Sequence, residues 1–286
     1  MSPLVLGLVL AAAFAHAGWN LLAKTAGGGA AFVWLTALVS AVVYAPVALG
    51  ALLADPGRLD LEVLAFVVGS GVLHGVYSVL LQRGYRVADL SLVYPLARGT
   101  GPLLATVAAI ALLGERPGAV ALAGAAVIVV AVLSLGARPA ALRERAAMQG
   151  AAFALMTGVV IAGYTLWDKH AVGTLDASPI LYLWGAIVCE VILLAPVVAR
   201  RSGWAKRVWG DARRQVVGVA VLGPAAYVLV LFALAVAPVS LVAPARESSI
   251  LIGTALGAGV LAEGDARRRL VSAAAIVLGV LLLAAG

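Results

Sequence analysis

The sequence predicts an all-α membrane protein of ten transmembrane helices, arranged as two inverted five-helix repeats. Three observations carry that prediction. The chain of 286 residues is 64% hydrophobic and 12% charged, against about 45–50% and about 25% in soluble domains, and its mean hydropathy is +1.09. Ten apolar runs of membrane-spanning length follow one another with short breaks. The two halves of the chain also match at a nearly constant offset. A soluble fold of this size needs a polar skin that this composition does not supply. A disulfide scaffold is excluded too, because Cys189 is the single cysteine.

A bilayer core takes about 20 mostly apolar residues per helix. The runs fall at roughly 3–24, 31–52, 62–82, 90–112, 118–136, 148–168, 179–199, 215–236, 239–261 and 270–285. Ala15-His16-Ala17 has the form of a leader cleavage site. No positively charged segment precedes it, so the first run is expected to stay as a helix. Gly27-Gly28-Gly29, Asp55-Pro56-Gly57 and Gly114-Glu115-Arg116-Pro117 break the runs, and Ala237-Pro238 makes a tight turn between the eighth and ninth. Two basic loops lie at Arg138–Arg145 and Arg200–Arg214. Trp204 and Trp209 in the second loop are expected at anionic headgroups.

Loops alternate sides, and their charge is lopsided. One side receives fifteen Lys/Arg, from Lys24, Arg83 and Arg86 and the basic stretches near 138–145, 200–214 and 267–269; the other receives Arg58, Arg116 and Lys169. The positive-inside rule makes the fifteen-charge side cytoplasmic, which leaves both termini non-cytoplasmic in a cell-membrane protein. The excess of twenty Lys/Arg over thirteen Asp/Glu therefore sets orientation and gives no reason to expect nucleic acid.

The repeat is legible residue by residue. Ala17-Gly18-Trp19 aligns with Ala162-Gly163-Tyr164, and Lys24 with Lys169; Trp34 and Ala45-Pro46-Val47 align with Trp184 and Ala195-Pro196-Val197. Ser91-Leu92-Val93 with Pro95 matches Ser240-Leu241-Val242 with Pro244, and Leu113 and Glu115 match Leu261 and Glu263. The first unit spans 1–136 and the second 148–286. Five helices is an odd number, so the second unit enters the membrane from the opposite side. Inverted repeats are a common transporter plan, with a midplane site between the halves.

Ionisable groups inside spans cost about 2.5–3.5 kcal/mol each, so those that persist face the bundle interior or a wet cavity. In the first run His16, Asn20 and Lys24 recur every fourth residue with Trp19 beside them. Lys24 is expected to snorkel to water. His16, Trp19 and Asn20 are expected to line a cavity or to hydrogen-bond a neighbouring helix. The third run repeats the pattern with His74, Ser78 and Gln82 beside Tyr77, and Tyr164 and Tyr227 complete an aromatic set. Arg98 and the Arg246-Glu247 pair lie at equivalent depths. Adjacent residues sit about 100° apart on a helix, so one of Arg246 and Glu247 faces the cavity and the other crosses the repeat interface. Two readings stand: a guanidinium site for a carboxylate or phosphate, or an Arg98–Glu247 bridge that locks one conformation. Glu190, midway along the seventh run, is the proton-coupling candidate, with a buried ion pair to Arg98 or Arg246 as the alternative. Trp167 and Asp168 are expected at the end of the sixth helix, as an interfacial tryptophan and a solvated acid.

Three stretches also resemble a known family. His16-Ala17-Gly18-Trp19-Asn20, Tyr94-Pro95-Leu96-Ala97-Arg98-Gly99-Thr100-Gly101-Pro102 with Leu113-Gly114-Glu115-Arg116, and Ala245-Arg246-Glu247-Ser248-Ser249 are similar to signatures of EamA-type transporters of the drug/metabolite transporter superfamily. The resemblance implies ten helices, a central cavity lined mainly by helices one, three and four and their repeat mates, and export or exchange of small metabolites. Leu261-Ala262-Glu263-Gly264 departs from it by lacking the flanking glycine and arginine. The charge bias also opposes the cytoplasmic termini usually assigned to ten-helix members.

The expected function is a secondary transporter, exporter or exchanger, of a small polar or amphiphilic metabolite by alternating access. A flippase of a lipid-linked group and a non-transport receptor or assembly subunit are the alternatives. No enzyme is expected, since no H-E-x-x-H, Walker or nucleophile-elbow motif occurs. No cofactor is expected, and the three histidines and one cysteine show no metal-ligand spacing. The expected partners are a small-molecule substrate and the lipid bilayer. One chain suffices to enclose a cavity, so a monomer is functional on this reading, with a dimer left open.

Overall fold

The computed structural model describes residues 1–26, 29–55, 59–88, 90–136, 145–201, 203–250, 252 and 266–286. Ten helices and no strand occur among them: α1 (Pro3–Thr25), α2 (Ala30–Ala54), α3 (Leu61–Val87), α4 (Leu90–Leu112), α5 (Ala119–Gly136), α6 (Arg145–Gly173), α7 (Pro179–Ala199), α8 (Trp204–Val236), α9 (Val239–Ala245) and α10 (Ala266–Ala285). Lipid offers the backbone no hydrogen-bond partners, so an apolar chain of this kind satisfies its amides within helices. Six of the helices, α1, α2, α3, α6, α7 and α8, are long and apolar enough to cross a bilayer by length and composition. Their outer faces carry large bare side chains such as Leu53 (78% exposed) and Leu61 (82%), which suit lipid and not water. The protein is an integral membrane protein.

Local chemistry starts and stops these helices. Ser2 caps α1 by accepting the Val5 amide at 3.3 Å, with Pro3 in the first turn; Asp60 caps α3 through the Val63 amide at 3.0 Å. Three helices outrun their apolar stretch, because charged side chains are compatible with a continuing helix and do not by themselves end one. Thus α3 continues to Val87 through the exposed Arg83 and Arg86, α6 spans Arg145–Gly173, and α8 begins at Trp204. The expected basic loop at 200–214 is therefore largely helical, joined to the rest of α8 through non-helical Ala212 (φ −134°, ψ 25°). Arg201 lies over the Trp204 ring at 5.0 Å.

The ninth run is a second correction. It breaks at Arg246–Glu247, where the Glu247, Ser249 and Ile250 amides bond three residues back instead of four, a tightening that follows Pro244. The rest of that run, with Glu263, lies outside the described residues. So do Gly27-Gly28, Pro56-Gly57-Arg58 and 137–144 of the first basic loop. The side chains of Lys24, Tyr94 and Pro95 are outside them as well.

The packing repeats itself. α1 packs on α8 as α3 packs on α6, and α2 packs on α8 as α3 packs on α7; α2 meets α7, α4 meets α9 and α5 meets α10. Trp34 Nε1 donates to Val191 O at 3.1 Å, and Trp184 Nε1 donates to Ala41 O at 2.9 Å. Each donor and each acceptor differs from its counterpart by the same 150 positions. Between α5 and α10, Gly124 and Gly279 each bring the other's backbone close: a Cβ on Gly124 would lie 2.7 Å from Gly279 O, and one on Gly279 would lie 2.8 Å from Gly124 O.

The two ends of the bundle differ. Met1 N donates to Ala284 O at 3.2 Å, so both termini share one end. That terminal end is filled by an apolar core including Val5, Val9, Val63, Val172, Leu234 and Val239. The opposite, basic end carries Arg83, Arg86, Arg200 and Arg201, all exposed.

Candidate functional site

A cavity of about 220 Å³ runs from the middle of the bundle toward the basic end. It is walled by α1, α2, α3, α6, α7 and α8, with Arg246 at its floor. α2 and α7 thus contribute walls, whereas α4 does not, which departs from the expected lining. Pro224 of α8 explains part of the shape. Lacking an N–H, it leaves the Ala220 carbonyl without its helical partner, and Ser40 Oγ reaches that carbonyl at 2.9 Å. Tyr44 donates to the neighbouring Val221 carbonyl.

Most of the singled-out residues reach this space. His16 and Trp19 of α1 line it, and Trp19 Nε1 lies 3.2 Å from His16 Nδ1. Asn20 does not, because its amide turns back to His16 O at 2.8 Å. His74, Tyr77 and Gln82 line it from α3, and Gln82 Oε1 also accepts the Gly29 amide at 3.2 Å. Tyr164 and Tyr227 lie on the far wall: His74 stacks on Tyr164 at 4.3 Å and meets Tyr227 edge-on at 4.9 Å. Glu190 also lines the cavity, with Ser78 Oγ donating to it at 3.3 Å. It is paired with neither Arg98 nor Arg246.

The arginines divide the two roles that were open. Arg98 and Glu247 form a two-pronged bridge, Nε to Oε2 and Nη2 to Oε1, both at 2.9 Å, with side chains 3% and 2% exposed. Neither lines the large cavity; Arg98 borders only a void of about 10 Å³ beneath it, roughly the room one water needs. Arg246 faces the other way. It lies over the Tyr227 ring at 5.5 Å and borders both spaces. No carboxylate or hydrogen-bond acceptor among the described residues holds its guanidinium. One neighbour faces the cavity and the other crosses the repeat interface, a separation made at the break that follows α9.

Asp168 is the residue that sequence reasoning misplaced. It is not a solvated helix end, because α6 continues to Gly173 and the side chain is fully buried. Its Oδ1 lies 2.7 Å from the Tyr182 hydroxyl, and its Oδ2 accepts from Tyr227 at 2.5 Å and lies 3.3 Å from His74 Nε2. Trp167 does sit at the surface, 37% exposed, with Nε1 donating to Phe66 O. Lys169 does not point to water either: its ammonium donates to Leu234 O at 2.7 Å and Ala237 O at 3.1 Å, closing α8. Glu115 closes the other side of the same turn by accepting the Val239 and Ser240 amides at 2.7 and 2.9 Å.

Comparison with known proteins adds a name to this geometry. Residues 148–285 match the model of the EamA-like transporter family. The match covers the second half of the chain, which is therefore similar to EamA-like transporters. A solved crystal structure, described only as that of a protein, is similar at a TM-score of 0.75 and 21% identity, over 97% of this chain and 95% of that one. That likeness shows a shared fold. No curated protein matches. The matched family is one of membrane transporters, and the aromatic and charged cavity is the candidate site of this chain.

Proposed function

We propose that this protein is a secondary transporter of a small polar or amphiphilic metabolite bearing an anionic group, exported or exchanged by alternating access. The observation that carries the reading is Arg246, a guanidinium 7% exposed that faces the cavity without an acceptor among the described residues. Leaving such a charge without a partner costs several kcal/mol, which a bound carboxylate or phosphate would offset with two parallel bonds. Trp19, Tyr77 and Tyr164 supply flat apolar walls for the rest of the solute. The volume lies just under the about 300–1,000 Å³ of drug-sized sites, which favours a compact metabolite.

The repeats 1–136 and 148–286 supply the movement. In this reading the halves exchange conformations, so the basic-end cavity closes while the packed terminal end opens. The reciprocal Trp34 and Trp184 bonds support a two-fold relation between halves. Loop charge favours the basic end as cytoplasmic, with both termini on the other side of a cell membrane. The test is thermal stabilisation of the purified protein by benzoate, acetate and inorganic phosphate, with spermidine as the cationic control. A ligand at about 100 times its Kd should stabilise by about 2.7 kcal/mol, and Arg246→Gln should abolish the effect. Stabilisation by spermidine alone, or equal stabilisation of Arg246→Gln, would overturn the anion reading.

A further inference from the structure

We infer that Asp168 and His74 together form a proton-binding site at the cavity wall, and that this pair, not Glu190, carries the coupling ion. The inference rests on the transport reading and extends it.

The carboxylate of Asp168 is completely buried between α3, α6, α7 and α8. A charge there needs a partner, and among the described residues the only basic side chain within ion-pair distance is His74. The other candidates are engaged elsewhere. Lys169, next on α6, is spent on two carbonyls of α8 and the following turn. Arg246 lies over the opposite partner ring, Tyr227. From α7 come Tyr182 and Glu190, and Glu190 bonds Ser78 and not Asp168. From α8 comes only Tyr227, and from α6 itself Tyr164, which stacks on the imidazole. The imidazole and the carboxyl, in contact and at the cavity wall, can therefore hold one proton between them, on either partner.

The hydrogen-bond pattern fits both states of that proton. The Tyr182 hydroxyl lies between two acceptors, Asp168 Oδ1 at 2.7 Å and Phe66 O at 3.2 Å. When Asp168 is ionised, the hydroxyl hydrogen points to the carboxylate. With the proton on Asp168 Oδ2, the acid donates to His74 Nε2, while the Tyr182 and Tyr227 hydroxyls go on donating to the carboxyl. No donor or acceptor is stranded in either state. His74 supplies the route to water: its side chain is 21% exposed and lines the cavity, while Nε2 faces the carboxylate at 3.3 Å. A proton from a hydronium ion in the cavity thus reaches the imidazole, and Nε2 passes it to Asp168 Oδ2. A hub that only tied four helices together would not need a cavity-exposed titratable member. The repeat offset that pairs Lys169 with Lys24 places Ala23 opposite Asp168, so the first half carries no carboxylate at the equivalent position.

The test needs no solute, because the probe is the proton. Proteoliposomes of the full chain on a solid-supported membrane are stepped in pH, and the transient charge displacement is recorded. The expected result is a transient in the wild type and in Glu190→Gln, lost to the level of protein-free liposomes in Asp168→Asn and His74→Gln. A wild-type transient in either of the last two variants, or loss in Glu190→Gln alone, overturns the proposal. Should the variants not fold, wild-type protein carrying 15N-histidine decides, because the chain has three histidines. A His74 resonance that responds to bulk pH, through its own proton or that of the bonded Asp168 carboxyl, supports the site, and one insensitive to pH throughout overturns it. Absence of the transient alongside intact solute stabilisation would remove the proton site and leave the transport reading standing.

Discussion

Removing one side of the Arg98–Glu247 bridge should be among the most damaging single changes in the bundle. Both side chains are almost fully buried and share two bonds of 2.9 Å. Breaking a buried pair costs about 3–5 kcal/mol, because the surviving charge is left uncompensated. The two partners should not be equivalent. Arg98→Met leaves Glu247 beside Arg246, whose charge also acts on it, so the cost should fall near the lower end, about 3 kcal/mol. Glu247→Leu leaves two guanidiniums in one dry region, and the cost should approach about 5 kcal/mol. At about 1.4 kcal/mol per tenfold, the folding equilibrium shifts by about a hundredfold in the first case and a few thousandfold in the second. Replacing both at once removes the charges together and should be nearly neutral. Denaturant unfolding of the purified variants in mixed micelles, compared at constant m value, measures all three. A cost below about 1 kcal/mol for Arg98→Met would place the bridge in the class of exposed pairs and refute the reasoning. A double variant that costs the sum of the singles would do the same.

Other consequences concern the turn and the glycines. Glu115→Ala removes two bonds from a charged acceptor to the α8–α9 turn, each of the kind that contributes about 1.5–3 kcal/mol. In a Cys189→Ser background, a Val230→Cys reporter, buried in the terminal-end core, should then react faster with a membrane-impermeant maleimide applied from that end; an unchanged rate would make the clamp irrelevant to opening. Gly124→Ala should cost about 1–3 kcal/mol, because its Cβ would meet Gly279 O at 2.7 Å and Leu283 N at 2.8 Å, both backbone atoms that no rotamer change relieves. Unfolding of Gly124→Ala at the wild-type midpoint would show that α5 and α10 separate at no cost.

What the sequence made legible was mostly what period and composition encode. The limits of α1, α2, α4, α5 and α7 follow from apolar runs, and the offset between halves anticipated that Trp34 and Trp184 occupy matching places. The hundred-degree argument placed Arg246 and Glu247 on different faces, although it left the site and the bridge as open alternatives for Arg98. Hydropathy failed where a helix continued past its apolar stretch. Asp168 and Lys169 looked like an exposed end because the run stops at 168, yet α6 goes on to Gly173 and carries both into the interior. Their partners, Tyr182, Tyr227, Leu234 and Ala237, lie on α7, α8 and the turn after α8, and no local pattern announces such contacts. A tyrosine at 182 and another at 227, set within otherwise aliphatic spans, were the available hint. Asn20 was misplaced for the opposite reason: its spacing from His16 suits a stripe, and the same spacing lets its amide bond its own helix.

The central claim is that a solute crosses through the cavity floored by Arg246. Exchange flux in proteoliposomes tests it most directly, with radiolabelled amino acids, organic acids, nucleosides and polyamines loaded on one side and unlabelled solute on the other. The account predicts that an anion-bearing class exchanges in the wild type and that Arg246→Gln loses this exchange while remaining folded. Exchange that persists unchanged in Arg246→Gln, or that is confined to polyamines, would contradict it.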